Sequence, residues 1–312
     1  MEFIMLALGI VLLVKGADWF VGGAAALARH LRIPAIVIGL TIVALGTSLP
    51  ELAVSLTAAV RGSNAIALGN VLGSNIVNLL VVVGLSALIR PMKVERSMMK
   101  RDYSVSVLLL AVLLFFQADF LFGREMVLSR LDGLILLGIL GIYMVQTVTN
   151  ALKSRPSADN LDRTHGIWWN MALCVCGSVA IVSGGQLVVN GATEIARSFG
   201  LSETLIGLTI VAVGTSLPEL VTSVVAAKKG ESEIALGNVM GSNIMNVGFI
   251  LGLSSLISPI RVEMVSVYDA LILLAVSLWF FVPLYREQRV SRGTGLVMLL
   301  AYGVYTGYIL VR

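Results

Sequence analysis

The chain has 312 residues, of which 57% are hydrophobic and 13% charged, with a formal net charge of +4 at pH 7. That balance is too apolar for a soluble globular domain and marks an integral membrane protein. The largest polar insertion is the stretch 151–166, so no soluble enzymatic or regulatory domain is expected, and function must lie within the membrane.

Apolar runs of about 20 residues, the length that crosses a bilayer, fall near 3–28, 34–60, 65–89, 103–120, 127–150, 167–196, 202–227, 233–257, 265–285 and 293–311. The first opens with Glu2 rather than a basic segment and exceeds a secretory h-region in length, so it is expected to stay as a span. It carries Lys15 and Asp18, three apart, which read as a structural pair near a water-accessible end.

The second run contains GTSLPEL at 46–52. Pro50 lacks an N–H and its ring collides with the carbonyl four residues earlier, so the helix is expected to bend or open near Gly46 and free backbone oxygens. Irregular backbone at membrane depth is tolerated where it is buried in protein or lines a cavity. Thr47 and Ser48 add hydroxyls there, and Glu51 adds a carboxylate on the face of Thr47. A glutamate at the midplane costs at least about 2.5 kcal/mol and marks a functional site by default.

In the third run, GNVLGSNIVN sets Asn70, Ser74 and Asn78 at successive i, i+4 positions, while Gly69 and Gly73 form a GxxxG pair that admits a close neighbour. Asp102, in the fourth, and Glu203, in the seventh, fall at span ends and need no special role. Cys174 and Cys176 point to different faces of one helix, which suits neither a disulfide nor a metal pair. His30 and His165 read as solvated loop histidines.

Shifting the sequence by 168 residues aligns Asp18–Val94 with Gln186–Val262 without a gap, an internal duplication. GTSLPEL recurs at 214–220, giving Thr215, Ser216, Pro218 and Glu219; Asn238, Ser242 and Asn246 repeat the polar stripe, and Gly237 and Gly241 the glycine pair. Five spans per copy make the second enter the membrane inverted. With the N-terminus outside, 15 Lys and Arg fall in inside segments and six in outside ones, so both termini are expected outside the cytoplasm. The expected architecture is all-α: ten transmembrane helices as two inverted five-helix repeats, with helices broken at the midplane. The repeats are residues 1–150 and 167–312, joined by a cytoplasmic linker at 151–166. Inverted repeats with matching broken helices are a pattern of secondary transporters.

Two carboxylates, hydroxyls, amide oxygens and freed carbonyls are all hard oxygen donors, the set that Ca²⁺ takes. No histidine or thiol is among them, which argues against zinc, copper or iron.

These paired motifs resemble those of the sodium/calcium exchanger branch of the calcium/cation antiporter superfamily, and the likeness covers essentially the whole chain. The resemblance implies that spans two, three, seven and eight surround the ions while the tilted spans one and six slide as a gate. It implies a metal site of Glu51 and Glu219, shared by Ca²⁺ and Na⁺, with Thr47, Ser48, Thr215, Ser216, Ser74, Asn78, Ser242 and Asn246, and the carbonyls of Ala44 and Ala212 at outer Na⁺ positions. Some relatives place an aspartate where Asn246 stands; its absence implies that K⁺ is not needed. The expected protein is therefore an electrogenic Na⁺/Ca²⁺ antiporter in a prokaryotic plasma membrane, not an enzyme. Its partners are the two ions and the lipid bilayer, with no cofactor, nucleic acid or obligate protein partner. An H⁺/Ca²⁺ antiporter using the same glutamates is the alternative. A cation channel is disfavoured because carboxylate filters usually come from several subunits around an axis.

Overall fold

Six glycines set the first feature of the architecture. Gly9, Gly16 and Gly23 recur every seven residues along α1 (Glu2–Leu31), as do Gly177, Gly184 and Gly191 along α7 (Ile167–Ser198). A Cβ added at Gly16 would lie 2.9 Å from the Gly177 carbonyl, and one at Gly184 would lie 2.8 Å from that of Gly9. Only hydrogen side chains allow two backbones so close, so the two longest helices run antiparallel along one glycine seam. Each glycine of one helix has its counterpart 168 residues away in the other.

The computed structural model describes residues 2–62, 64–118, 125–153, 166–200 and 212–311. After α1 come α2 (Ala35–Thr47), α3 (Leu49–Val60), α4 (Ile66–Ile89), α5 (96–116) and α6 (Arg130–Lys153). After α7 follow α8 (Ala212–Thr215), α9 (Leu217–Lys229), α10 (Ser232–Ile257), α11 (Met264–Glu287) and α12 (Arg292–Val311). Among the described residues, seven helices are long and apolar enough to cross a membrane, or eight if the bent pair α2–α3 is one span. Of the other two expected spans, the one near 103–120 is α5, whose early turns carry Lys100, Arg101 and Asp102. The one near 202–227 is described only from residue 212, as α8 and α9, and Glu203 and His165 lie outside the described residues.

Among the described residues the fold is helical with one amendment. Two antiparallel pairs of two-residue strands occur, β1 (Met92–Lys93) with β4 (Arg289–Val290) and β2 (Val127–Leu128) with β3 (Ile260–Arg261). Each pair joins a loop of the first half to one of the second. Helices α4 and α10 are mostly buried, whereas α1, α6, α7, α11 and α12 have well under half of their apolar stretch buried. Gly237 and Gly241 pack α10 against α2: their added Cβ atoms would lie 2.8 Å from the Ile36 carbonyl and 2.7 Å from that of Leu40. The residues corresponding to this contact for Gly69 and Gly73 fall mostly outside the described residues.

Two charges behave differently from the sequence expectation. Asp18 pairs with Lys229, not Lys15: the ammonium lies 2.8 Å from Asp18 Oδ1 and 2.8 Å from its carbonyl. Lys15 is three residues from Asp18 on the same helix, but the end of α9 brings a better-placed cation. Asp102, expected at a span end without a special role, is fully buried, 2.7 Å from Arg101 Nε, and accepts the Tyr143 hydroxyl at 2.9 Å. Asp269 accepts the Tyr305 hydroxyl at 3.2 Å in the matching place. These bonds tie α5 to α6 and α11 to α12.

Candidate cation site

The helix break falls at Ser48, between α2 and α3, two residues beyond the expected opening at Gly46. The two segments meet at 51°, with Ser48 at φ −84° and ψ 10°. Ser216 repeats this backbone between α8 and α9, at φ −88° and ψ 5°. The cause is the proline, which stands in the first turn of each following helix, where a missing N–H is harmless. The carbonyl that Pro50 leaves without its donor is that of Gly46, and Ser178 Oγ donates to it from α7 at 3.3 Å. Gly46 itself is required by packing, since a Cβ there would lie 2.8 Å from the Phe20 ring.

Starting α3 and α9 at the break places Glu51 and Glu219 in the first turn of a helix and fully buried. Each carboxylate is approached by serines of both halves. Ser48 Oγ lies 2.9 Å from Glu219 Oε1 and 3.0 Å from Ser242 Oγ, and Ser242 Oγ is 3.4 Å from the same carboxylate oxygen. Around Glu51 Oε1 the distances are 3.4 Å to Ser74 Oγ and 3.5 Å to Ser216 Oγ. Thr47 Oγ1 lies 2.9 Å from Asn238 Oδ1, so its hydrogen is engaged and its lone pairs stay open to a cation. The Ala44 carbonyl accepts from Ser48 N at 3.0 Å, and Ala212 opens α8 at the edge of the described residues.

Each of Asn78 and Asn246 begins a π-helical segment, Asn78–Val82 and Asn246–Leu251, and both side chains are fully buried. Such wide turns add a residue to the helix and re-aim its side chains. Four buried oxygens of this cluster have no hydrogen-bond partner among the described residues: Glu51 Oε2, Glu219 Oε2, Asn78 Oδ1 and Asn246 Oδ1. They form two pairs separated by 168 residues. Among the described residues neither glutamate has a Lys, Arg or His partner. An unpaired buried carboxylate costs several kcal/mol, so a proton or a cation is needed to neutralise it.

The structure thus brings together Glu51, Glu219, Ser48, Ser74, Ser216 and Ser242 through direct contacts. Six polar residues not singled out as site members stand behind them. Asn70 Nδ2 reaches Ser55 Oγ at 3.0 Å and the Glu51 carbonyl at 3.3 Å; Asn238 Nδ2 reaches Ser223 Oγ at 2.9 Å and the Glu219 carbonyl at 3.4 Å. Asn75 and Asn243 contact Asn246 and Asn78. The signal was available, since Ser55 and Ser223, like Asn75 and Asn243, are identical residues 168 apart.

A cavity of about 460 Å³ adjoins the cluster, lined by Leu49, Pro50, Val189, Thr215 and Pro218 among others. On the other side of the break, α1 closes against α9 and α10 through Lys229 with Asp18 and through Arg29 with Glu231, 3.6 Å apart.

These features define a multi-pass membrane protein with a buried, oxygen-lined site between two broken helices. Residues 1–149 and 169–311 match the family model described as sodium/calcium exchanger protein, and the chain belongs to that family. It is 38% identical to the putative antiporter CaxA of Alkalimonas amylolytica, over 96% of this chain and 95% of that protein. It is 36% identical to the sodium/calcium exchanger MaX1 of Methanosarcina acetivorans, over 96% of each. A solved structure of the sodium-calcium exchanger NCX_Mj superimposes with a TM-score of 0.85 at 34% identity, covering 97% of both chains.

Proposed function

We propose that this protein is a Na⁺/Ca²⁺ antiporter working by alternating access, with Glu51 and Glu219 as the shared carboxylates. Thr47, Ser48, Thr215, Ser216, Ser74, Asn78, Ser242 and Asn246, with the carbonyls of Ala44 and Ala212, complete the ion-binding set. One observation carries this reading: Glu51 Oε2, Glu219 Oε2, Asn78 Oδ1 and Asn246 Oδ1 are buried hard acceptors that no donor among the described residues satisfies. Such oxygens suit a desolvated cation.

The charge count gives the mechanism. Two glutamates supply two negative charges, matched by one Ca²⁺ or by two Na⁺, so the ions compete for the same oxygens. A third Na⁺ would make the loaded states differ by one charge, which is worth about 2.3 kcal/mol per 100 mV. Asn at both 78 and 246 adds no further acid, in keeping with independence from K⁺.

The architecture is read as ten spans in two inverted repeats, residues 1–150 and 167–312 around a cytoplasmic linker. Both termini then lie outside the cytoplasm of a plasma membrane. The strand pairs support this topology, because β1 and β4 both belong to segments assigned inside and β2 and β3 to segments assigned outside. On that topology the 460 Å³ cavity opens outward, while the Asp18–Lys229 pair closes the inner side. A site reached from one side at a time is what alternating access requires.

The test is ⁴⁵Ca²⁺ uptake into Na⁺-loaded proteoliposomes. Glu51→Gln and Glu219→Gln are each expected to abolish exchange while leaving folded protein in the membrane; near-normal flux from either would sink the site assignment.

A further inference from the structure

Four asparagines cross between α4 and α10 in a directed chain. Asn75 Nδ2 donates to the backbone carbonyl of Asn243 at 3.3 Å, and Asn246 Nδ2 donates to Asn75 Oδ1 at 2.9 Å. Asn78 Nδ2 donates to Asn243 Oδ1 at 3.1 Å. All four side chains are at most 5% exposed. A backbone carbonyl only accepts, so it fixes which end of the Asn75 amide faces it. Asn75 must therefore turn its NH₂ toward Asn243 and its oxygen toward Asn246. That oxygen takes the Asn246 NH₂, and the Asn246 oxygen is left without a donor among the described residues. Asn78 ends in the same way, its NH₂ engaged and its oxygen open.

The direction matters because an amide is a dipole with two nearly isosteric ends. Rotated by half a turn, Asn246 or Asn78 would present N–H groups instead of oxygen, and a cation beside them would be repelled rather than coordinated.

We propose that Asn75 and Asn243 are positioning residues that hold Asn246 and Asn78 with their carbonyl oxygens turned into the cation site. Each acts on the ligand of the opposite helix, so α4 orients the oxygen on α10 and α10 orients the oxygen on α4. This inference rests on the antiporter reading above, in which Asn78 and Asn246 are ligands.

A double-mutant cycle tests it. Asn75→Leu keeps the branching pattern of the side chain and removes the acceptor that holds Asn246. A carboxylate has two equivalent oxygens and no wrong way round, so in Asn246→Asp the positioning residue has nothing left to orient. Ca²⁺ binding to purified protein, read as ⁴⁵Ca²⁺ retention and as the shift in melting temperature with added CaCl₂, is measured for all four combinations. The expected result is Ca²⁺ binding weakened about tenfold by Asn75→Leu with Asn246 present, the upper end of what one hydrogen bond between neutral groups contributes. In the Asn246→Asp background the same change should weaken it less than about twofold. Equal weakening in both backgrounds would show a packing role and overturn the proposal, as would no weakening in either. If Asn75→Leu does not fold, the mirrored cycle of Asn243→Leu with Asn78→Asp decides by the same criteria. Ca²⁺ binding without Na⁺-driven uptake overturns the antiport reading alone and leaves the cycle measurable, whereas a wild-type protein that binds no Ca²⁺ overturns both.

Discussion

Ser48 Oγ, at the helix break of the first half, rests 2.9 Å from Glu219 Oε1, in the turn after the break of the second. The mirrored contact, Ser216 Oγ to Glu51 Oε1, is longer at 3.5 Å. Neither half builds its carboxylate environment alone, and the two carboxylates are not held equally tightly.

That inequality orders the serine variants. A hydrogen bond to a charged group contributes about 1.5–3 kcal/mol, so Ser48→Ala should raise the Ca²⁺ concentration for half-maximal exchange by roughly tenfold or more. Ser216→Ala should raise it less. Initial rates of ⁴⁵Ca²⁺ uptake against external Ca²⁺ check the order.

Neutralising a glutamate should separate ligand binding from folding. A ligand at 100 times its dissociation constant stabilises the folded state by about 2.7 kcal/mol, so saturating Ca²⁺ should raise the melting temperature of the wild type. Glu219→Gln should lose that response and, having one fewer buried charge, melt no lower than wild type without Ca²⁺. Thermal melts in detergent with and without CaCl₂ measure both.

The glycine seam should tolerate no side chain. At Gly16 an added methyl would meet the backbone of Gly177 and Ile181 at 2.9 Å. Overpacking of this kind costs about 1–3 kcal/mol, so Gly16→Ala and Gly184→Ala should lower the melting temperature. On α12, Gly303 and Gly307 have open space around them, and alanine there should be nearly neutral.

The Asp18–Lys229 pair is half-exposed, so its contribution to overall stability is small. On the proposed topology the pair closes the inner side, which ties it to the balance of states. Asp18→Asn should lower the outward-open fraction and with it the apparent affinity for external Ca²⁺. The charge swap Asp18→Lys with Lys229→Asp should restore it.

Much of the site was legible because duplication points at function: Glu51 and Glu219, the flanking serines and Asn78 with Asn246 all fall out of one 168-residue shift. The helix break was legible from Pro50, but its position was not. A proline removes the donor to the carbonyl four residues back, yet the chain turns at the last residue before the new helix, so Ser48 bends and Gly46 packs on Phe20. Partners distant in sequence were not legible. Lys229 displaces Lys15 as the partner of Asp18, and Tyr143 buries Asp102, because only the packing of α9 on α1 and of α6 on α5 brings those groups together. Asn75 and Asn243 looked like links in a motif, and their role depends on which end of each amide faces the other helix.

The most direct measurement of the central claim is ⁴⁵Ca²⁺ uptake into proteoliposomes loaded with Na⁺, beside identical vesicles loaded with choline and given a pH gradient, with the membrane potential set by K⁺ and valinomycin. Uptake only with internal Na⁺, changing in rate with the imposed potential, is the expected result. Uptake driven by the pH gradient without Na⁺ would contradict Na⁺ coupling and make Glu51 and Glu219 proton carriers.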